Sequence, residues 1–371
     1  MAYFSPIIWD DLKQRPQHLA EELSRYYKIY YIEPSVSLIQ SLFKRSKLYK
    51  ARRSQLNPNL HVLRPSGKYR LPRSLEVLGL EKVNYKSEVK QLQQVIDKCT
   101  LIWLGSPLFY NIVKLQKDKY IVYDKMDEHT LLTNNRLLRR LVIKYERELI
   151  SRADIVFTSS EKLLNDINNY KNEAYLINNG IDRIFLKSAE RLIDRDIIKE
   201  IDSLRKVGCR IFGYVGTIDH WFDYQAVTII LRSNEMNQVF LVGKNNLRQI
   251  NEKRIHYCGP VEKKYIPSII ESFDCCLYTF KPSILTATVN PVKIYEYLAL
   301  NKPVIAIRCS EMDKFEKYIS TYATYDELGQ LLKNNNLCDK NPFADIEENE
   351  QFIVDNSWEQ RANSIIKHMK I

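Results

Sequence analysis

Short apolar runs alternate with amphipathic stretches along most of the chain, and this alternation predicts an α/β protein. Apolar runs bounded by polar turn residues are typical of buried strands, and apolar positions three and four apart predict helices that cover a sheet. Strands separated by helices form parallel sheets. The predicted strands are residues 2–9, 27–32, 60–63, 101–104, 120–123, 155–158, 175–177, 210–215, 240–242, 255–257, 275–280 and 304–307.

The strands fall into two successive series, and we interpret each series as a Rossmann-like, doubly wound domain. A charged helical pattern without a strand separates them, and a length of 371 residues suits two domains. The predicted limits are an N-terminal domain over residues 1–187, a linker region over 188–206, a C-terminal domain over 207–345 and a final helix over 346–371.

The stretch of residues 290–306 predicts a helix with marked ends, followed directly by a buried strand. Asn290 is a favourable N-cap, and Asn301 can adopt the left-handed conformation that ends a helix. Lys293 and Glu296 are three residues apart and therefore share one face near the helix N-terminus. Two interpretations are open: a surface ion pair, or a cation and a carboxylate that bind a phosphate and two sugar hydroxyls.

Glycine-containing turns follow three of the strands in the second series: Gly216-Thr217, Gly243-Lys244 and Gly259-Pro260-Val261. Because ligands bind beyond the carboxyl ends of parallel strands, we expect these turns and the helix at 290–296 to converge on one crevice. The sequence contains neither G-x-G-x-x-G nor G-x-x-x-x-G-K-[ST], which disfavours a nicotinamide oxidoreductase and a P-loop enzyme.

The charge balance predicts an anionic partner, because the formal net charge is +11. Cations interleaved with apolar residues concentrate over residues 39–53, where there is no acid. Such a stretch is typical of a membrane-surface element, although a solvated face has the same composition. No nucleic-acid-binding motif accompanies the charge, so we expect no nucleic-acid partner. The predicted membrane-surface residues are Lys44, Arg45, Lys47, Arg52 and Arg53.

Composition excludes several other classes of protein. No stretch approaches eighteen consecutive apolar residues, so no transmembrane helix is expected, and the first residues resemble a strand more than a signal peptide. The seven cysteines form no C-x-x-C pair, which indicates free thiols and no zinc site. We therefore expect a cytoplasmic protein.

Several motifs, in this order and spacing, resemble those of bacterial GT-B glycosyltransferases of the family 4 type. Members of this group act in teichuronic-acid, capsule and exopolysaccharide synthesis. The resemblance covers nearly the whole chain and implies two Rossmann-like domains that face a central cleft, with a terminal helix that returns to the N-terminal domain. The motifs are Gln14-Arg15-Pro16-Gln17-His18, Tyr123-Asp124-x-x-Asp127, Asp154-x-Val156-x-x-Ser159, Asn179-Gly180-Ile181-Asp182, Gly213 to Asp223, and Pro291-x-Lys293-x-x-Glu296-Tyr297-Leu298-Ala299.

The resemblance implies that the C-terminal domain holds a UDP- or GDP-linked sugar, with no metal or other cofactor. Glu296 matches the carboxylate that hydrogen-bonds the donor ribose, and Lys293 lies where a diphosphate or sugar contact is expected. Gly216 and Thr217 match the turn beside the diphosphate. The remaining donor-site candidates are Lys244, Val261 and Asn290. Thr288 departs from the family, which often has a second glutamate there, and this leaves retaining or inverting stereochemistry open.

The resemblance also implies that the N-terminal domain binds the acceptor. Asp124 and Asp127 follow a strand, where an aspartate can act as general base in an inverting reaction or stabilise charge in a retaining one. Each can alternatively cap a turn. Arg15 and His18 are candidates for binding the acceptor or a phosphate, and His129 is a further catalytic candidate.

The leading hypothesis is a hexosyltransferase that moves a sugar from a nucleotide sugar to a glycan or lipid-linked acceptor at the inner face of the cell membrane. Two alternatives are a nucleotide-sugar epimerase on the same scaffold and a non-catalytic nucleotide-sugar-binding subunit. An epimerase converts the sugar nucleotide without labelling polymer or lipid, and a binding subunit shows no turnover.

Overall fold

The computed structural model describes two compact units. The described residues are 1–38, 41, 50–78, 80–114, 116–133, 135–170, 173–186, 192–193, 195–283, 288–333 and 341–369. The first unit runs from Met1 to Asn178 and takes in the end of the chain from Arg361, and the second unit runs from Asn179 to Gln360.

The unit boundaries differ from the predicted limits for a physical reason. Part of the predicted linker forms a helix, Arg195–Lys206, whose Ile201 is fully buried in the core of the second unit. Likewise the predicted final helix is two helices, and Phe352 of the first one packs in that same core. Apolar positions on charged helices thus attach both segments to a domain.

The first unit contains an eight-stranded sheet that is parallel except for its edge strand β3. The order is β3-β4-β2-β1-β5-β6-β7-β8. Strand β3 is largely polar and exposed, so it lacks the apolar run that predicts a buried strand. The strands are β1 (Ala2–Phe4), β2 (Ile29–Ile32), β3 (Arg52–Asn57), β4 (Leu60–Arg64), β5 (Leu101–Leu104), β6 (Tyr120–Lys125), β7 (Ile155–Thr158) and β8 (Ala174–Leu176).

The helices of the first unit cover this sheet and begin at local caps. Asn135 and Ser160, for example, accept hydrogen bonds from backbone N–H groups in the first turns of α4 and α5. The helices are α1 (Arg15–Leu23), α2 (Glu81–Asp97), α3 (Tyr110–Val113), α4 (Arg136–Arg152) and α5 (Glu161–Asn168), with 3-10 turns at Arg73–Leu78 and Pro107–Phe109.

The second unit contains a six-stranded, fully parallel sheet in the order β11-β10-β9-β12-β13-β14. The strand order reverses between β9 and β12, the place where ligands bind in doubly wound sheets. Gly213 in β9 leaves space for the ring of Phe273, which a Cβ would approach to 1.9 Å. The strands are β9 (Arg210–Val215), β10 (Asn237–Val242), β11 (Ile255–Gly259), β12 (Cys275–Tyr278), β13 (Val304–Ile307) and β14 (Ser320–Tyr322).

The helices that follow complete the second unit, and the last one continues into the first. They are α6 (Arg195–Lys206), α7 (Tyr224–Ser233), α8 (Ile266–Glu271), α9 (Val292–Ala299), α10 (Tyr325–Leu332), α11 (Ile346–Asp355) and α12 (Trp358–Met369), with 3-10 turns at Arg183–Phe185, Lys263–Tyr265 and Ser310–Phe315. In the described part of the chain, none of the helices has the length and apolar character needed to cross a membrane.

Candidate functional site

Two glycines bring the ends of β9 and β10 together. Gly216 and Gly243 have φ angles of 150° and 141°, which L side chains rarely adopt. A Cβ on Gly243 would lie 2.1 Å from the carbonyl oxygen of Gly216, so no other residue fits there without displacing the backbone. The turn predicted from sequence to approach a diphosphate is therefore built by a backbone contact that requires glycine.

Lys293 lies directly over this turn. A Cβ on Gly216 would be 2.2 Å from Lys293 Cε, and Lys293 Nζ is 5.9 Å from the centroid of the Tyr214 ring. The side chain is half-buried, and burial lowers the pKa of the ammonium while Glu296 acts in the opposite direction. Among the described residues, Lys293 Nζ has no hydrogen-bond or ion-pair partner. The N–H groups of Gly216 and Ile218 donate to the carbonyls of Val242 and Lys244, whereas the N–H of Thr217 has no partner among the described residues. This N–H and the unpaired ammonium of Lys293 suit a phosphate.

Glu296 is the second unpaired charge on α9. It is half-buried, and burial raises its pKa to about 7, although Lys293 and Lys263 oppose the shift. Within the described chain its carboxylate accepts no hydrogen bond, and no Lys293–Glu296 contact lies within the 4.0 Å of an ion pair. The surface ion-pair interpretation is therefore wrong, and a half-buried carboxylate whose acceptor atoms have no partner is typical of a binding site.

A buried tyrosine fixes α9 against the strand that carries the turn. The Tyr297 hydroxyl accepts a hydrogen bond of 3.1 Å from the backbone N–H of Val215, immediately before Gly216. The helix ends as expected, since Asn301 has a φ of 53°. The position of Lys293 over the turn thus follows from a direct helix–strand bond.

Asn290 does not have its predicted roles. The helix begins at Val292, with Pro291 as N-cap and no side-chain cap. The Asn290 side chain is buried, accepts a 2.8 Å bond from Asn179 N–H and donates a 2.9 Å bond to Glu311. These bonds join the Asn179 loop to α9. Asn290 is therefore a structural residue, and its side-chain amide is not free to contact a sugar-nucleotide donor.

Lys263 is a candidate donor-site residue that the sequence did not predict. Its Nζ lies 2.5 Å from the Asp182 carboxylate, and both residues influence the pKa of Glu296, Lys263 by lowering it and Asp182 by raising it. Lys263 follows the Gly259–Val261 loop by two residues, and that proximity to a predicted donor-site loop was the only available signal.

The other donor-site candidates lie around the same turn. Lys244 is exposed, and its carbonyl accepts a 2.9 Å bond from the N–H of Ile218. Thr217 is half-buried, and its carbonyl accepts a 3.0 Å bond from the Tyr214 hydroxyl. Val261 is half-buried beyond β11. The backbone bonds place Thr217 and Lys244 at neighbouring strand ends.

In the first unit, Arg15 and Asp124 form a buried ion pair. The carboxylate of Asp124 is fully buried and accepts three bonds of 2.8–3.1 Å from the guanidinium of Arg15, which also donates to the carbonyls of Ile177 and Asn178. The predictions of a catalytic Asp124 and a ligand-binding Arg15 are therefore corrected: each is engaged by the other. His18 is also buried, on α1, and is not an exposed phosphate ligand.

Asp127 keeps the features of a candidate acid–base residue. It is half-buried, and in the described part of the chain it has no hydrogen-bond or ion-pair partner. Burial raises its pKa to about 6, with Arg15 opposing and Asp124 adding to the shift. Nearby in sequence, His129 is buried, and burial together with Lys125 lowers its pKa to about 3, so the imidazole is neutral.

The predicted membrane-surface residues have different outcomes. Lys44, Arg45 and Lys47 lie outside the described residues. Arg52 is in β3 and pairs with Asp10 at 2.5 Å and with Glu33 at 3.4 Å, so its charge is largely compensated. Arg53 is exposed and lines a cavity of about 360 Å³ together with Lys98 and His61. Across the described residues, no group of three or more His, Cys, Asp or Glu is arranged to hold a metal ion.

Superposition on solved structures identifies the fold. Sucrose-phosphate synthase from Thermosynechococcus elongatus superposes with a TM-score of 0.70 at 13% identity, covering 100% of this chain and 98% of that one. The HepE protein of Anabaena in complex with UDP-glucose superposes with a TM-score of 0.66 at 15% identity, covering 100% and 98%. The chain has the GT-B fold. The fold class inferred from the sequence is confirmed.

A curated protein is similar in sequence to this GT-B chain. TuaH of Bacillus subtilis is 23% identical over 248 residues, and its name provisionally assigns it to teichuronic acid biosynthesis as a glycosyltransferase. The match covers 62% of this chain and 61% of TuaH, so the chain spans about three fifths of the length of that relative. No protein-family model matches the chain.

Proposed function

We propose that this protein is a metal-independent glycosyltransferase that transfers a hexosyl group from a nucleotide diphosphate sugar. The observation that carries the proposal is that Lys293 and Glu296 on α9, next to the glycine turn at Gly216, have no ion-pair or hydrogen-bond partner within the described chain. The GT-B neighbour HepE was solved with UDP-glucose, which supports a donor of this class. The name of TuaH supports the same activity.

The donor would be bound by charge and backbone together. Glu296 in its ionised form accepts hydrogen bonds from the two ribose hydroxyls, which a single carboxylate can satisfy at once. Lys293 neutralises charge on the diphosphate, and the backbone N–H of Thr217, which is unpaired among the described residues, donates to it. The same groups stabilise the negative charge that develops on the leaving nucleoside diphosphate, so they lower the barrier to transfer as well as the donor dissociation constant.

The first unit would supply the proton acceptor. Asp127 has a pKa raised to about 6, so most of it is ionised at neutral pH and can take a proton from an acceptor hydroxyl. Arg15 and Asp124 would act together as a buried support behind this carboxylate. An unpaired Asp127 favours an enzyme over the alternative of a subunit that only binds nucleotide sugars.

The acceptor we propose is a glycan or lipid-linked glycan in cell-surface polysaccharide synthesis, at the cytoplasmic face of the membrane. Support comes from the polymer in the name of TuaH and from the net charge of +11. An anionic membrane surface would be a partner of the protein, and the protein would be peripheral to it.

The test measures binding and transfer separately. Calorimetry with UDP- and GDP-sugars is expected to show binding to the native protein and at least tenfold weaker binding to the Glu296→Ala and Lys293→Ala variants. Lys253→Ala, an exposed substitution in the second unit, is the control. Radiolabelled donor should then label a membrane lipid or glycan. Label found only in a converted sugar nucleotide would show an epimerase, and binding without turnover would show a binding subunit.

A further inference from the structure

Helix α4 (Arg136–Arg152) carries an unusual solvent face. Its buried side, which includes Leu141, Tyr145 and Leu149, packs on the first unit. Five cations are exposed on the first three turns of the helix. Most of them are three or four residues apart, so they lie on the same side of the helix and form one stripe. The exposed cations are Arg136, Arg139, Arg140, Lys144 and Arg147.

None of these five cations has an ion-pair partner among the residues that the structure describes. Ordinary solvated helix faces mix both signs, as α5 does, where Lys162 pairs with Asp166 one turn later. On α4 the exposed described positions between 131 and 147 include no carboxylate, and Glu146 is buried against Lys125. Glu148, which is half-buried at the end of this stretch, forms no ion pair with any of the five, so their positive charge is unpaired among the described residues.

The first cations of α4 also lie at the end of the helix where the dipole is positive, which is unfavourable for them. The first turn of α4 contains no acid and begins with Arg136, although the N-terminus of a helix favours negative groups. Local helix stability thus does not explain these arginines. An anion that approaches the N-terminal half of α4 would be attracted by both the side chains and the dipole.

Large apolar side chains lie within the same cationic surface. Ile143 is 53% exposed and stands between Arg140 and Arg147 on the stripe, and Leu137 is 37% exposed. Leu132, just before the helix, is 58% exposed. A soluble polyanion such as a nucleic acid would make no use of these side chains, whereas a bilayer takes up apolar groups beneath its anionic headgroups.

We infer that the α4 surface, defined as Leu131, Leu132 and the exposed residues of α4 from Arg136 to Arg147, docks on an anionic lipid bilayer. The cations contact headgroup phosphates, and Ile143, Leu137 and Leu132 enter the interface. This assigns the membrane contact to a different segment from residues 39–53. It also deepens the proposed function, because Leu131 lies only four residues after Asp127 and a lipid-linked acceptor would be presented near that carboxylate.

The test is flotation of the full-length protein with vesicles at 0.1 M salt. The native protein is expected to float with vesicles of phosphatidylglycerol and phosphatidylcholine, and not with phosphatidylcholine alone. Replacing Arg136, Arg140, Lys144 and Arg147 by Gln should weaken binding by tenfold or more. The matched control replaces by Gln four cations of the second unit that are exposed and have no partner among the described residues: Lys206, Arg232, Lys253 and Lys333. It changes the net charge by the same amount and should float as the native protein does.

A second variant tests the apolar part. Ile143→Ser with Leu137→Ser should float at 0.1 M salt but lose about fivefold or more of the binding that remains at 0.5 M salt, where screening weakens the charged contacts. Unchanged circular dichroism and UDP affinity would show that both variants are folded. The inference is overturned if the four-Gln variant floats like the native protein, if neutral vesicles bind equally well, or if polyphosphate binds the surface while vesicles do not.

Failure of this inference is distinguishable from failure of the proposed function. Glu296→Ala should float with anionic vesicles as the native protein does, because it lies outside the α4 surface. A native protein that floats but transfers no sugar would count against the proposed function alone, and a protein that transfers sugar without floating would count against the membrane surface alone.

Discussion

At the scale of single residues, function depends on which charged groups lack a partner. Asp124 and Asp127 are three residues apart, yet Asp124 is fully buried against Arg15, whereas Asp127 has no hydrogen-bond partner in the part of the chain that the structure describes. The carboxylate of Glu296 likewise has no partner there. An unpaired, partly buried carboxylate is unfavourable in the free protein, and it is retained where a ligand completes its hydrogen bonds.

The first prediction concerns pH and donor binding. Because Glu296 accepts from ribose only when ionised and its pKa is about 7, donor affinity should fall as the pH drops below 7, approaching tenfold per unit. Glu296→Gln should bind weakly and with little pH dependence. Titration calorimetry with UDP from pH 5.5 to 8.5 measures both, and a native affinity that is flat over this range would contradict the assignment.

The second prediction concerns stability at the same residue. The pKa of Glu296 is raised from 4.5 to about 7, so the folded state holds its proton more tightly than the unfolded state does. The stabilisation from this residue is present below about pH 4.5 and is lost as the pH rises through 7. Glu296→Gln should therefore be more stable than the native protein at pH 8, by about 1–2 kcal/mol after allowance for solvent screening, and equal to it at pH 4. Urea unfolding at both pH values measures the difference.

The third prediction separates the two aspartates. Asp127→Asn should lower kcat by about 10²- to 10⁴-fold with little change in stability. Asp124→Asn leaves the buried Arg15 charge uncompensated and should lower the free energy of unfolding by about 3–5 kcal/mol. At a temperature where both variants are folded, Asp124→Asn should retain most of its activity. If Asp124→Asn instead abolished kcat while remaining stable, the roles would be reversed.

At the scale of elements, the candidate donor site is a strand–turn–helix arrangement. Strand β9 ends at Gly216, Tyr297 bonds α9 to that strand, and Asn290 joins the start of α9 to the Asn179 loop. Each connection is a hydrogen bond to the backbone or a contact between buried polar groups. The position of Lys293 over the turn therefore depends on glycines that let backbone segments approach closely, more than on side-chain charge.

The fourth prediction tests this approach with matched glycine substitutions. Gly243→Ala places a Cβ 2.1 Å from the Gly216 carbonyl oxygen at a φ of 141°, so it should lower stability by about 2–4 kcal/mol and weaken UDP binding. Gly329→Ala, in α10, meets nothing within 4 Å and should be neutral or slightly stabilising, since alanine favours helix. Thermal unfolding with and without UDP compares them. Equal effects of the two substitutions would refute the close-approach argument.

At the scale of the whole molecule, each compact unit has its own sheet and its own set of candidate residues. The donor candidates lie in the second unit, and Asp127 and the α4 surface lie in the first. This division matches the roles implied by the GT-B resemblance, in which one domain binds the donor and the other the acceptor.

The fifth prediction uses this division. A ligand stabilises what it binds in the native state, so UDP should raise the unfolding temperature of the second unit by mass action. Asp124→Asn should lower the unfolding temperature of the first unit without changing UDP affinity measured at low temperature. Scanning calorimetry resolves the two effects, and loss of UDP affinity in folded Asp124→Asn would place that residue in donor binding.

Much of the fold was predictable because strands, helices and turns leave a local periodic signal. All twelve predicted strands have a counterpart among the fourteen strands that the structure describes. The two that were missed are β3, whose exposed edge has no apolar run, and β14, which is only three residues long. The linker was misjudged for the converse reason: its charged helix contains few apolar positions, and Ile201 alone among them is fully buried.

The sequence by itself determined the order of elements, the glycine turns and the common face of Lys293 and Glu296, because these depend on residue type and short spacing. Only the tertiary structure decided which polar groups are free. Arg15 reaches Asp124 across 109 residues and Asn179 reaches Asn290 across 111, and no local pattern encodes such contacts. The candidate donor site is therefore visible in the sequence as a helix with two charges, and it is a candidate because folding leaves both charges unpaired among the residues that the structure describes.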